Sequence, residues 1–181
     1  MTAPALMTAD ELLHINVPNQ WTELVRGRLV VREPPGYLHG YVALRIAAAI
    51  STHVDANGLG VVLAAETGFK LFANPDTVRA PDVAFLARDR VPSPAPRGYA
   101  ELAPDLVVEV LSPDDQPAEV REKIADWLGA GCRLVWIVDP MERTAHVHRA
   151  DGADSVVADG DLLRGETVLP DFTLPLANVL L

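Results

Sequence analysis

The stretch Ala103-Pro-Asp-Leu-Val-Val-Glu-Val-Leu-Ser-Pro113 decides the fold, because it contains the most apolar strand pattern of the chain. Residues 106–111 are hydrophobic at almost every position, which is typical of a central strand covered on both faces. Glu109 interrupts this run and is carried into the core with it. An unpaired buried carboxylate costs several kcal/mol or takes up a proton, so Glu109 needs a partner. Glu109 either pairs with an arginine, caps a loop or binds a metal ion, and the sequence favours the metal because charges in such runs are otherwise rare.

The segments around this strand show helical and β-type patterns. Apolar residues recur at helical spacing over residues 38–56 and again over 120–131, which predicts two long helices. Further strands are predicted at 60–66, 68–72, 78–86 with an interruption at Ala80-Pro81, 134–138 and 144–148.

The N-terminal part predicts a short helix and a hairpin. Thr8 and Glu11 have the spacing of a capping box, and residues 21–32 form two apolar runs around Arg-Gly-Arg, as in a β-hairpin. Residues 88–104 hold four prolines and predict a surface loop or lid. The element order indicates an α/β or α+β fold with helices packed on a mixed sheet.

Length and composition limit the possible classes of protein. A chain of 181 residues that is 49% hydrophobic can bury one sizeable core, so we expect a single domain over residues 1–181. No apolar stretch approaches a membrane span and no secretion signal is evident, which predicts a cytoplasmic protein. The net charge of -10 repels phosphate backbones, so any contact with nucleic acid must be local. The lone Cys132 excludes a cysteine-based zinc site and is assigned no role.

Other carboxylates are candidates to join Glu109. Asp82 follows Pro81 and is either a turn residue or a metal ligand, and Glu66 ends a predicted strand that could neighbour it. Carboxylates at one level of adjacent strands repel one another unless a cation holds them together. Oxygen ligands of this kind suit Mg²⁺ or Mn²⁺. Asp105 could support such a site, but the role of a turn residue that starts the strand is favoured.

Two basic residues also stand out. Lys123 is one of only two lysines in the chain and lies at the margin of the apolar stripe of its predicted helix. Its stem could cross apolar surface and bring its ammonium to the sheet, although most lysines in such positions are solvated. His39 opens the first long helix and is the one histidine of interest, since no histidine pair has the spacing of a zinc motif.

Several of these motifs together resemble one known family. They are Arg79-Ala-Pro-Asp-Val-Ala84, the stretch from Ala103 to Pro113, Lys123, and Leu128-Gly-Ala-Gly-Cys-Arg-Leu-Val-Trp-Ile-Val-Asp-Pro140. The segment Thr22-Glu-Leu-Val-Arg-Gly-Arg28 and the helix of His39 are also similar. Over nearly its whole length the chain resembles the Uma2 family of PD-(D/E)XK nuclease-like proteins.

The resemblance implies a restriction-endonuclease-like core, a mixed β-sheet flanked by helices, with an N-terminal helix and β-hairpin. It implies Asp82, Glu109 and Lys123 as catalytic residues, and Asp82 and Glu109 as ligands of Mg²⁺ or Mn²⁺, with Glu66 completing the metal shell. The lysine of the family motif would stand two residues after Glu109, where this chain has Leu111, and Lys123 would take over its role.

Two functions follow from this resemblance. The first is a metal-dependent endonuclease that cleaves the phosphodiester bonds of DNA, acting as a homodimer. The alternative is a catalytically degenerate module that keeps the fold and binds a protein or a regulatory ligand. The endonuclease is the leading hypothesis, and Leu111 in the lysine position and the net charge of -10 support the alternative.

Overall fold

The computed structural model describes residues 6–181 and contains three helices, twelve strands and two 3-10 turns in this range. Its helices are α1 (Ala9–Leu12), α2 (Tyr37–Asn57) and α3 (Pro117–Gly129). Its strands are β1 (Trp21–Val25), β2 (Arg28–Arg32), β3 (Gly60–Ala64), β4 (Phe69–Phe72), β5 (Thr77–Arg79), β6 (Val83–Ala87), β7 (Leu106–Val110), β8 (Leu134–Asp139), β9 (Thr144–Arg149), β10 (Asp154–Ala158), β11 (Leu162–Arg164) and β12 (Thr173–Pro175).

A six-stranded mixed sheet forms the centre of the molecule, in the order β10-β9-β8-β7-β6-β3. The strands β7 and β8 are parallel, and every other neighbouring pair in this sheet is antiparallel. A second sheet has the order β2-β1-β5-β4, and β11 pairs with β12. The α+β fold predicted from the sequence is confirmed, and β7 is an inner strand of the large sheet, as its apolar run predicts.

The two long helices cover opposite faces of the large sheet. Leu106, Val108 and Val110 of β7 belong to the apolar cluster that also contains the buried stripe of α2. Val107 belongs to the cluster on the other face, together with Trp127 of α3. Because side chains alternate along a strand, Glu109 lies on the α3 side of the sheet, next to the helix that carries Lys123.

Residues 78–86 do not form one interrupted strand. The chain leaves the four-stranded sheet after Arg79 and enters the six-stranded sheet at Val83, so Ala80-Pro81-Asp82 is the crossing between two sheets. Proline has no amide hydrogen to donate, which ends strand pairing at this point. The crossing places Asp82 at the edge where both sheets and both long helices meet.

The remaining elements agree with the predictions in type and differ by one to three residues at their ends. Thr8 caps α1 with both hydrogen bonds of a capping box, and the hairpin pairs Trp21 with Arg32 through to Val25 with Arg28. The predicted loop 88–104 begins with the 3-10 turn Arg88–Arg90 and continues without a helix or strand to Pro104. No helix within residues 6–181 is long and apolar enough to cross a membrane.

Candidate active site

Asp82, directly before β6, and Glu109, in the neighbouring strand β7, reach one cavity. The antiparallel register of β6 and β7 pairs Val83 with Val108, so the next position along places Asp82 opposite Glu109. Both residues line a cavity of about 660 Å³ that is bordered by the hairpin, the start of α2 and the start of α3. The structure therefore brings together the two acidic residues that the sequence separates by 27 positions.

Two donors converge on one oxygen of Asp82. The Val110 amide donates to Oδ2 at 2.7 Å, and Nε2 of His39 lies 3.2 Å from the same atom. No hydrogen bond from any residue of the described range reaches the other oxygen, Oδ1. The carboxylate is therefore held through Oδ2 while Oδ1 is available to a ligand.

His39 comes from the buried face of α2, the same face as Val42 and Ile46. Its side chain is 11% exposed, and its Nδ1 is buried without a hydrogen-bond partner among the described residues. Burial lowers the pKa of His39, but the hydrogen bond to Asp82 and the negative charge of Asp82 outweigh this, so the pKa is raised overall. His39 therefore serves as a hydrogen-bond donor to Asp82, and the contact with Asp82 favours the protonated imidazole.

Both oxygens of Glu109 accept a hydrogen bond from α3. Nζ of Lys123 lies 3.1 Å from Oε2, and the indole nitrogen of Trp127 donates to Oε1 at 2.9 Å. Lys123 and Trp127 are four residues apart and share one face of the helix, so both reach β7. The buried carboxylate of Glu109 is thus satisfied by a lysine and a tryptophan, and not by an arginine.

Burial raises the pKa of the Glu109 carboxyl to about 7, and the charges of Asp82 and Glu23 add to this effect while Lys123 opposes it. Burial alone would lower the pKa of Lys123, but the charges of Glu109 and Glu23 raise it above its ordinary value. Lys123 is therefore charged at neutral pH, and its charge favours the ionised form of Glu109 against the effect of burial. A cation near Glu109 would favour the charged carboxylate.

A second network of buried charged residues lies beside this site, and the sequence analysis did not predict it. The Arg79 side chain is 2% exposed and pairs with Glu23 at 3.1 Å and with Asp126 at 2.6 Å. Glu23 also accepts from the Ala80 amide at 3.1 Å and lies 3.9 Å from Nζ of Lys123. The network joins the hairpin, the sheet crossing and α3 around the residues that carry Asp82 and Lys123. A sequence signal existed, since Glu23 is a charge inside an otherwise apolar strand pattern.

Glu66 does not join Asp82 and Glu109 in a cluster. It lines the same cavity, but β3 ends at Ala64, and Glu66 is exposed in the following turn with φ of 68°. Within residues 6–181, no group of three or more His, Cys, Asp or Glu side chains is arranged to hold a metal ion. The predicted three-carboxylate cluster is thus not formed, because the strand that should carry Glu66 stops two residues earlier.

Asp105 has the structural role that the sequence favours. It is 1% exposed, and its carboxylate accepts from the Ala87 amide at 2.8 Å and pairs with Arg90 at 2.8 Å and Arg133 at 2.9 Å. These contacts tie the loop 88–104 and the start of β8 to β7. Asp105 is absent from the residues that line the cavity of Asp82 and Glu109.

The cavity has a strongly acidic lining. Its positively charged residues are Lys123 and Arg32, and His39 lies beside them. Its acidic residues are Glu23, Glu33, Glu66, Asp82, Glu109, Asp114, Asp115 and Glu119. Carboxylates crowded in this way raise the affinity of a site for cations and oppose the entry of anions. The lining therefore favours cations over anions.

A mixed sheet with helices on both faces places the chain in the class of α+β proteins. Within this class, the chain belongs to the Uma2 family, whose model, described as "Putative restriction endonuclease", matches residues 9–177. The resemblance found in the sequence is thereby confirmed.

A solved structure shares the fold. It is that of a "putative nuclease belonging to DUF820" from Anabaena variabilis, with a TM-score of 0.84 and 22% sequence identity, covering 96% of this chain and 97% of that one. At this identity the likeness concerns the fold. The comparison with curated proteins gives no match.

Proposed function

We propose that the chain is a divalent-metal-dependent nuclease that cleaves phosphodiester bonds of DNA at the cavity of Asp82 and Glu109. The observation that carries this proposal is the meeting of these two carboxylates with the ammonium of Lys123. The description of the Uma2 family supports the choice of reaction.

The residues present fit Mg²⁺ or Mn²⁺. Both ions prefer oxygen ligands, and Mg²⁺ usually keeps several waters while one or two carboxylates and the substrate phosphate complete its shell. Asp82 offers Oδ1, and each oxygen of Glu109 accepts a single hydrogen bond and retains a second lone pair. A shell with two protein carboxylates therefore needs no contribution from Glu66.

The bound ion would lower the pKa of a water and neutralise charge on the scissile phosphate. The chain's own residues prepare this chemistry. His39 and the Val110 amide hold Asp82 in place through Oδ2, and Trp127 holds Glu109 through Oε1. Lys123 exchanges its bond with Glu109 for one with the attacking water or with a phosphate oxygen, and it stabilises the negative charge that develops there.

Lys123 also compensates for the missing lysine at position 111, where this chain has Leu111. A lysine two residues after Glu109 would lie on the same face of β7, and Lys123 reaches that face from α3, 3.1 Å from Glu109. The position of Leu111 therefore no longer supports the degenerate module against the enzyme. On this proposal the protein works in the cytoplasm and forms a homodimer. Sedimentation analysis of the purified chain tests the dimer.

Calorimetric titration with Mn²⁺ tests the proposal. Wild type should bind the ion, Asp82→Asn should lose most of the affinity, and Glu66→Gln, which removes a carboxylate from the same cavity, should bind almost as wild type does. Plasmid and single-stranded DNA should then be cleaved by wild type in Mn²⁺ and left intact in EDTA. Equal binding by all three proteins, or no binding by any, would reject the metal site.

A further inference from the structure

An arginine-lined groove lies beside the site cavity, between the hairpin and α3. It has a volume of about 550 Å³. Val25 of β1 and Val30 of β2 line it, and Glu119 and Glu122 of α3 form its opposite wall. The arginines of this groove are Arg26, Arg28, Arg32 and Arg79.

The groove adjoins the site cavity. Arg32 and Glu119 line both, so the two spaces share a border at the end of β2. Arg28 and Arg32 lie on one face of β2, since they are separated by an even number of residues. At about 3.4 Å per residue they stand roughly 14 Å apart, and Arg32 is the one that also lines the site cavity.

Two of the four arginines, Arg28 and Arg32, keep donors available. Arg28 is exposed and makes no ion pair with a residue in the described part of the chain. Arg32 donates to Glu119 at 2.9 Å through Nη1 only, and its Nε is buried and unpaired in that same part. Arg26 pairs with Glu122 and lies 3.2 Å from Asp126. Arg79, in contrast, is fully engaged by Glu23 and Asp126.

The ion pairs that cross the groove are exchangeable. The side chains of Arg32 and Glu119 are 30% and 50% exposed, and those of Arg26 and Glu122 are 54% and 43% exposed. Exposed pairs of this kind contribute only about 0–1 kcal/mol to stability. A phosphate offers the guanidinium the same two-oxygen geometry as a carboxylate, so it can displace the glutamate.

We infer that this groove binds the phosphodiester backbone of the nucleic acid strand on its way into the site. Arg28 and Arg32 contact two phosphates of one strand. Glu119 holds Arg32 and Glu122 holds Arg26 until phosphates displace these glutamates. The chain has a net charge of -10, which repels nucleic acid at long range. The arginines of the groove provide the local positive charge that binding to nucleic acid needs. The inference rests on the proposed nuclease function and assigns its substrate path.

Fluorescence anisotropy with labelled single-stranded and duplex DNA tests the groove. Ca²⁺ replaces Mn²⁺ in this assay, because it also takes oxygen ligands and can occupy the carboxylate pair. The double variant Arg28→Gln with Arg32→Gln should bind roughly 10-fold more weakly or worse, and its plot of log affinity against log salt should be less steep by about two. Glu119→Gln should bind more tightly than wild type, because a competitor of the phosphate is gone.

The matched control is Arg164→Gln, which removes one charge from β11, away from the groove. It should change the affinity and the salt slope far less than the double variant does. Circular dichroism melts check that all variants fold.

Two results would overturn the inference. If wild type binds and cleaves DNA and the double variant binds with the same affinity and slope, the groove is not the path, while the proposed nuclease function stands. If wild type binds neither form of DNA in Ca²⁺ and cleaves neither in Mn²⁺, the inference and the proposed function fall together.

Discussion

Nζ of Lys123 lies 3.1 Å from Oε2 of Glu109, although 14 residues and a change from helix to strand separate the two. The side chain of Lys123 is 21% exposed and that of Glu109 is 7% exposed, so the pair is largely shielded from water. A buried ion pair of this kind is usually only a structural feature. This pair lies beside Asp82, and it is therefore part of the candidate site.

Replacement of Lys123 by Met should lower the rate of Mn²⁺-dependent DNA cleavage by about 10²–10³-fold, the usual effect of losing one group that stabilises developing charge. Binding of Mn²⁺ at alkaline pH should persist, because Glu109 is then ionised without the help of the ammonium. Lys70→Met is the matched control, since Lys70 is the other lysine of the chain and pairs with Asp76 and Glu101. Equal loss of cleavage in both variants would refute a specific role for Lys123.

Replacement of His39 separates hydrogen bonding from packing. His39→Gln keeps a nitrogen donor able to reach Oδ2 of Asp82, whereas His39→Ala removes it. Loss of a residue that orients a metal ligand typically costs about 10–100-fold in metal affinity, so we expect this loss for alanine and only a small change for glutamine. Calorimetry with Mn²⁺ measures both. Equal affinities for the alanine variant and wild type would remove His39 from the site.

Arg79→Gln should destabilise the protein by about 3–5 kcal/mol, because it leaves Glu23 and Asp126 as buried carboxylates with reduced compensation. Urea denaturation followed by circular dichroism measures this change. Arg164→Gln, on an exposed position of β11, should lie within about 0.5 kcal/mol of wild type. A similarly small effect for Arg79 would show that the buried network contributes little to the fold.

The stability of the protein should depend on pH through Glu23. Burial alone would raise the pKa of this carboxyl, but the charges of Lys123 and Arg79 and a hydrogen bond from the Ala80 amide lower it below the ordinary value of 4.5. A carboxyl with a lowered pKa stabilises the fold above its unfolded pKa, and this contribution is lost as the pH falls through the folded pKa.

Comparison of wild type with Glu23→Gln isolates this contribution. The difference in unfolding free energy should be constant at neutral pH and should shrink as the pH falls below about 4.5. Urea titrations at several pH values provide the measurement. A difference that grows towards acid pH would mean that the pKa of Glu23 is raised in the folded protein.

Much of the fold could be predicted because its signals are local. The apolar run of β7, the stripe of α3 and the capping box of Thr8 each depend on neighbours within a few residues, and all three appear in the structure. Glu109 could be singled out for the same reason, since a charge inside such a run must find a partner. Asp82 stood out less, because a residue after proline is often only a turn.

The rest depends on contacts between distant segments. The network of Glu23 and Arg79 exists because β1 pairs with β5, through Leu24 and Val78, and no local pattern encodes that pairing. The change of sheet at Pro81 looks, in sequence, like an interruption within one strand. Glu66 was placed on a strand because apolar residues precede it, whereas the turn after Ala64 begins before it.

A crystal grown with Mn²⁺ tests the central claim most directly, because the anomalous signal locates the ion without reference to activity. We expect one strong peak in contact with Oδ1 of Asp82 and an oxygen of Glu109, at about 2.1 Å from each as for oxygen ligands of a small divalent ion. A map without a peak there, with Lys123 still bound to Glu109 in saturating Mn²⁺, would contradict the claim.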